Sequence, residues 1–129
     1  MPDNHPTERE LDILKILWEN GESTVREVYE TIREQVPIVQ NTVQAMLRTM
    51  EEKGLVEHRV DGRAFVYRPT LKRERTTRNM IGRLLDHAFD GAVDQLVESL
   101  FSHRKPNAHE LERLQELINQ QGKTKRKRG

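Results

Sequence analysis

Residues 41–69, NTVQAMLRTMEEKGLVEHRVDGRAFVYRP, decide the fold. Up to Met50 the apolar positions Val43, Met46, Leu47 and Met50 recur at helical spacing, whereas from Leu55 onward the period is two. Gly54 falls where a helix ends on a left-handed residue. Asp61-Gly62 separates Leu55–Val60 from Arg63–Arg68 and suits the positive-φ positions of a type I′ hairpin turn. If Val60 pairs with Arg63, His58 faces Phe65 and Val56 faces Tyr67. The hairpin then has an aromatic face to lay on helices and a tip that exposes Arg59 and Arg63, and Pro69 closes its second strand.

Two helices precede this stretch. Thr7 caps a helix over 7–20, with Glu10 as capping-box partner, Leu11, Leu14, Leu17 and Trp18 on one face, and Asn20-Gly21 as the stop. Thr24 and Glu27 repeat the box before a second helix that carries Val25, Val28, Tyr29, Ile32 and Val36 and ends at Pro37. Three helices follow the hairpin. The first runs over Leu71–Phe89 with Met80, Ile81, Leu84, Leu85 and Ala88 to one side, and Gly91 lies near its break. A short one carries Val93, Leu96, Val97, Leu100 and Phe101; the last, beyond Pro106, is capped by Asn107 with Glu110 and shows Leu111, Leu114, Leu117 and Ile118. No internal repeat is evident. Three helices and a hairpin within about 70 residues form the winged helix-turn-helix pattern. The expected organisation is a mostly α chain: a winged helix-turn-helix domain over 1–70, a three-helix dimerisation domain over 71–121, and a disordered basic tail over 122–129.

Composition supports the same division. The chain has 129 residues, 34% apolar and 33% charged, with a mean hydropathy of −0.85, so a monomer has a thin core. The stripes on the last three helices are too narrow to close on themselves, and Leu84, Leu85, Val97, Leu100, Leu114 and Ile118 are expected to meet a second copy. Zero cysteines removes disulfides, thiolate metal sites and cysteine nucleophiles together. No apolar run approaches the roughly 18–20 residues of a membrane span, and MPDNHPTERE lacks the features of a signal peptide, so a cytoplasmic protein with no membrane insertion is expected. The net charge of +1 conceals a separation: residues 1–39 carry four Lys/Arg against nine Asp/Glu, and Arg59–Arg78 carry seven against two. Lys123–Arg128 add five positive charges and no acid. Positive charge collected on one face is enough for nucleic-acid binding.

The outward residues of the third helix suit double-stranded DNA. Thr42 and Thr49 bond phosphates or bases, Gln44 suits an adenine edge, Arg48 reaches a guanine or a phosphate, and Ala45 permits close approach and contact with a thymine methyl. Asn41, at the helix start, joins this set, and Arg59 and Arg63 are expected to hold the hairpin against the DNA backbone. Singly, each of these residues is equally at home on a solvated helix face. As a set between a Pro-terminated helix and a basic hairpin, they favour DNA.

Thr7–Trp18, Asn41–Met50, Lys53-Gly54-Leu55-Val56 and Gly62–Pro69 resemble the penicillinase-repressor and methicillin-resistance-repressor family, and the likeness covers nearly the whole chain. The resemblance implies a homodimeric repressor with an N-terminal winged helix and a C-terminal helical dimerisation domain, binding palindromic operators. It also implies a membrane sensor peptidase as a further partner, with three departures from the family pattern. Gln40-Asn41-Thr42 stands where the family commonly has a Pro-Lys-Thr type sequence, which points to an altered operator preference. Ser99-Leu100 stands where antibiotic-responsive relatives are cut at Asn-Phe, so proteolytic induction by the usual membrane sensor is not simply carried over and whether proteolysis inactivates this chain stays open. The cysteine cluster of copper-responsive relatives is missing altogether.

Enzyme readings find little support. The five histidines have no metal-ligand spacing, the serines lack a nucleophile elbow, and the glycines are isolated rather than grouped to cradle a phosphate. His103, His109 and Glu110 are the best metal combination and a weak one; no cofactor and no metal is expected. Trp18, Met46, Met50 and Met80 read as core. Two other functions compete. A winged helix serving as a protein-interaction module would show apolar residues on its third helix, and a general nucleoid-binding protein would rely on the tail and lack sequence preference.

Overall fold

A computed structural model of the chain describes residues 5–128, with side chains described through Lys123. The elements follow in the order α1 (Glu8–Asn20), β1 (Ser23–Thr24), α2 (Val25–Ile32), α3 (Gln40–Glu52), β2 (Val56–Asp61), β3 (Ala64–Pro69), α4 (Arg73–Ala88), α5 (Val93–His103) and α6 (Ala108–Arg128). The chain divides into two compact units, one ending at Gly82 and the other beginning at Arg83.

In the first unit the helix starts follow their caps. Thr7 accepts from the Glu10 amide at 3.2 Å while Glu10 accepts from the Thr7 amide at 2.9 Å, and Thr24 and Glu27 reciprocate in the same way. Gly21, at φ 82°, ends α1, and its amide donates to the Leu17 carbonyl. Because α1 packs on both α2 and β3, it buries an arc wider than one stripe. Ile13, Leu14, Ile16 and Leu17 form that arc, while Leu11 is only half-buried. α2 stops short of Pro37, at Ile32. Gln35 and Val36 donate back to the Ile32 carbonyl, and Pro37 keeps Val36 from continuing the helix. Val36 still packs against the core, as do Trp18 and Met46; Met80 is half-buried outside that cluster. The cluster is completed by Val28, Ile32, Val43, Leu47, Met50, Leu55, Val56 and Tyr67, none more than 7% exposed.

The hairpin is one residue longer on the β2 side than the expected pairing. Asp61 pairs with Ala64, Val60 with Phe65 and His58 with Tyr67, so Gly62-Arg63 forms the turn. Gly62 alone has positive φ there, at 63°, the type II′ arrangement rather than type I′. Moving the register by two residues keeps every side chain on its face, so His58, Phe65 and Tyr67 still share one side of the sheet. Only Tyr67 is buried; Phe65 is 46% exposed. Sequence periodicity did not reveal β1, which pairs antiparallel with β3 through Ser23–Tyr67 and Thr24–Val66 and sets the order β1-β3-β2.

The first unit ends later than the expected boundary at residue 70. Trp18 donates its indole N–H to the Leu71 carbonyl at 3.0 Å, and Thr76 in α4 is buried, so the start of α4 belongs to the winged helix. In the second unit Asp90 and Gly91, both at positive φ, turn the chain after α4, and the Gly91 amide donates to the Leu85 carbonyl. Asn107 and Glu110 form the capping box of α6. This helix continues past Gly122 to Arg128, where an irregular tail was expected; Lys and Arg are good helix formers. The side chains of Lys125, Arg126, Lys127 and Arg128 lie outside the described residues. Among the described residues, no helix is long and apolar enough to cross a membrane.

Candidate nucleic-acid interface

α3 has two contrasting sides. Val43, Leu47 and Met50 are fully buried, which fixes the helix rotation, and that rotation leaves Asn41, Thr42, Gln44, Ala45, Arg48 and Thr49 all exposed. The helix start also differs from its neighbours. α1 and α2 close theirs with capping boxes that contain a glutamate, whereas α3 begins at Val39 with no side-chain cap and no acid in its first turn. Its first amides and the positive end of its dipole are therefore left for an anion such as a DNA phosphate. The residues responsible, Val39 in place of a capping type and Thr42 in place of a glutamate, are visible in the sequence but draw no attention by periodicity alone.

The wing stands beside this helix. Gln40 and Gln44 from α3, Thr24 and Arg26 from the start of α2, and Arg63 and Phe65 from the wing line one open cleft. Gln40, Arg26 and Phe65 carry no sequence signal that marks them as part of it. The His58 Nδ1 lies 2.6 and 2.9 Å from the two Glu51 carboxylate oxygens, joining the wing to the last turn of α3. The same ring stacks on Phe65 with centroids 4.2 Å apart and planes 16° from parallel. Phe65 is the diagonal rather than the direct cross-strand neighbour, within reach of an aromatic side chain. Burial pushes the Tyr67 phenol upward, the charge of Glu51 adds to this, and Arg48 opposes it, so the phenol stays neutral at physiological pH.

Arg59 and Arg63, paired by sequence reasoning as two tip residues, occupy different environments. Arg63 lies in the turn itself and lines the cleft with Gln44. Arg59 lies opposite Val66 and donates to Glu22 from Nη2 at 2.7 Å and from Nε at 3.4 Å. The bond to Arg59 is the leading cause of a Glu22 carboxyl held below its ordinary range, and Glu22 in turn raises Arg59. Among the described residues, Arg48 and Arg63 have no ion pair.

In the second unit, Leu84, Leu100 and Ile118 are exposed, and Leu85, Val97 and Leu114 are half-buried. Leu100 and Leu114, with Phe101 and Pro106, line a groove between α5 and α6. No three His, Asp or Glu side chains gather to hold a metal ion among the described residues. Glu110, next to His109 in sequence, is committed elsewhere: the Asn107 amide first and then Arg104 at 3.1 Å hold its carboxyl below the usual range.

The chain and its fold are similar to known proteins. The solution structure of the DNA-binding domain of the repressor BlaI is similar, with a TM-score of 0.50 and 28% identity, covering 56% of this chain and 85% of that one. The penicillinase repressor of Bacillus licheniformis is 21% identical over 112 residues, which span 87% of this chain and 88% of that protein. The penicillinase repressor family model matches residues 6–120, through the winged helix and the helices beyond it, and the chain belongs to that family.

Proposed function

We propose that this DNA-binding transcriptional repressor acts in the cytoplasm as a homodimer on a palindromic operator, with α3 of each copy in the major groove of one half-site. The observation that carries this reading is the exposed row Asn41, Thr42, Gln44, Ala45, Arg48 and Thr49 on a helix whose opposite side is buried at Val43, Leu47 and Met50. Such a helix enters a groove without opening the core. Gln44, Ala45 and Arg48 meet base edges, Asn41, Thr42 and Thr49 lie where phosphates flank the groove, and Arg63 on the wing holds the neighbouring backbone. The polar character of the row favours nucleic acid over a protein partner.

The second copy is supported by the second unit, where Leu84, Leu100 and Ile118 leave apolar surface in water and no described side chain is fully buried. Two-fold symmetry then places two α3 helices one or two helical turns apart on the duplex. A membrane sensor peptidase has no part in this proposal: Ser99-Leu100 lies within α5, where a helical backbone must unwind before it is cut.

Selection of the full-length chain against random duplexes tests the reading. An inverted repeat is the expected product, and sedimentation at micromolar concentration should give a dimer. Recovery of duplexes without sequence preference, or a monomer bound to one asymmetric site, would count against it.

A further inference from the structure

The wing carries Arg59, Arg63 and Arg68, and among the described residues only Arg63 has no carboxylate partner. Arg68 donates from Nε to Glu57 at 2.7 Å, and Arg59 is held at two points by Glu22. The charge of Arg68 also acts on Glu22, so two arginines and two glutamates form one electrically neutral set. Arg59, Glu57 and Arg68 share the sheet face away from His58 and Tyr67. Phosphate gains little from a face whose cations already have carboxylates at hydrogen-bond distance, and both carboxylates repel it.

The Glu22–Arg59 link has a structural reach of its own. Glu22 lies between the end of α1 and β1, Arg59 lies on β2, and the strand order is β1-β3-β2, so the pair crosses over β3 and ties together two strands that share no hydrogen bonds. β1 contributes only the pairs Ser23–Tyr67 and Thr24–Val66 to the sheet, so the outer strand β2 is held toward α3 by the His58–Glu51 bond and the buried Val56, while on its other face the link is Glu22–Arg59. We infer that Arg59 is a positioning residue, braced by Glu22 to fix the wing against the first helix, and that the wing touches phosphate through Arg63. This rests on the operator-binding reading above and assigns different roles to two arginines that sequence alone makes equivalent.

The test compares Arg59→Gln, Glu22→Gln, the double variant and Arg63→Gln in the full-length chain, on the selected operator and on random duplex across a range of salt. Arg63→Gln should flatten the plot of log affinity against log salt by about 0.9 for each copy bound. Arg59→Gln and Glu22→Gln should weaken operator binding in the same direction, by up to about fivefold per copy, the range of an exposed ion pair, and leave the salt slope unchanged. The double variant should be no worse than either single one, because both remove the same brace. In the free protein, amide exchange over β2 and β3 should quicken in Arg59→Gln and Glu22→Gln alike.

A salt slope flattened by Arg59→Gln as much as by Arg63→Gln, or operator binding tightened by Glu22→Gln, would overturn the inference by showing that Arg59 meets phosphate. Unchanged exchange in both single variants would overturn it equally. If the parent itself shows no operator preference, the repressor reading fails while the exchange measurement still decides the brace.

Discussion

The two units of the chain solve the burial problem differently. Up to Gly82, three helices and a three-stranded sheet enclose Ile13, Leu14, Leu17, Val28, Ile32, Val43, Leu47 and Met50 at no more than 1% exposure. From Arg83 on, helices with comparably regular leucine stripes bury no described side chain to that degree, and Leu100 and Ile118 stay 56% and 68% exposed. A sheet laid across helices closes a core within one chain, whereas narrow stripes on successive helices need a further surface. The regularity of a stripe reveals a helix; it does not say which chain covers it.

Mutations can break this contrast or sharpen it. Leu47→Ala should have the largest effect, about 2–5 kcal/mol of stability, because it empties a site in a closed core. Its loss should not depend on protein concentration, as thermal unfolding over a hundredfold dilution would show. Leu100→Ala should weaken dimerisation by up to about 3 kcal/mol over the two copies and leave the unfolding of the first unit unchanged; sedimentation equilibrium reads the first and amide exchange the second. A monomeric parent, or a concentration-independent destabilisation by Leu100→Ala, would erase the proposed difference between the units.

Gln44→Ala bears on what the closed unit presents rather than on how it closes. It should cost about 1–3 kcal/mol at one base position in each half-site, with stability unaffected, and repeated selection with the variant would show relaxed preference there. The smallest effect concerns Glu10, which is buried in the first turn of α1 and bonded at 2.7 Å to Lys53, the residue that follows α3. Burial pushes its carboxyl up, but the Lys53 bond, the Thr7 amide, the Lys53 charge and the Thr7 hydroxyl together outweigh this and hold it below the ordinary 4.5. The unfolded chain then binds the proton more readily. The stabilisation is present above pH 4.5 and is lost as pH falls through the lower folded value. Glu10→Gln should cost about 1 kcal/mol at neutral pH and reduce the acid dependence of unfolding, a change absent if the pair contributes nothing.

Much of α3 is legible in the amino-acid sequence. Val43, Leu47 and Met50 announce the buried side, so Thr42, Gln44, Ala45, Arg48 and Thr49 follow as the exposed one. The hairpin is legible in kind but not in register. Asp61-Gly62 suits a type I′ turn, Gly62-Arg63 suits type II′, and the alternation of side chains is the same in both because the two registers differ by two residues. β1 is not legible, since two residues are too few to display a period. Arg59 and Arg63 look alike for a related reason: local sequence shows a charge but not the carboxylate that meets it.

The sequence by itself determined what depends on near neighbours. The capping boxes at Thr7, Thr24 and Asn107, the positive-φ stops at Gly21 and Gly54 and the apolar periods act within one or two turns of backbone, where spacing along the chain is spacing in the molecule. Only the tertiary structure decided that Lys53 meets Glu10, that Trp18 holds Leu71, and that Glu22 takes Arg59 away from the wing tip. These partners are far apart in the chain, and the folded core brings them together. No periodicity encodes such a meeting, because which distant charge reaches which depends on how every intervening element packs.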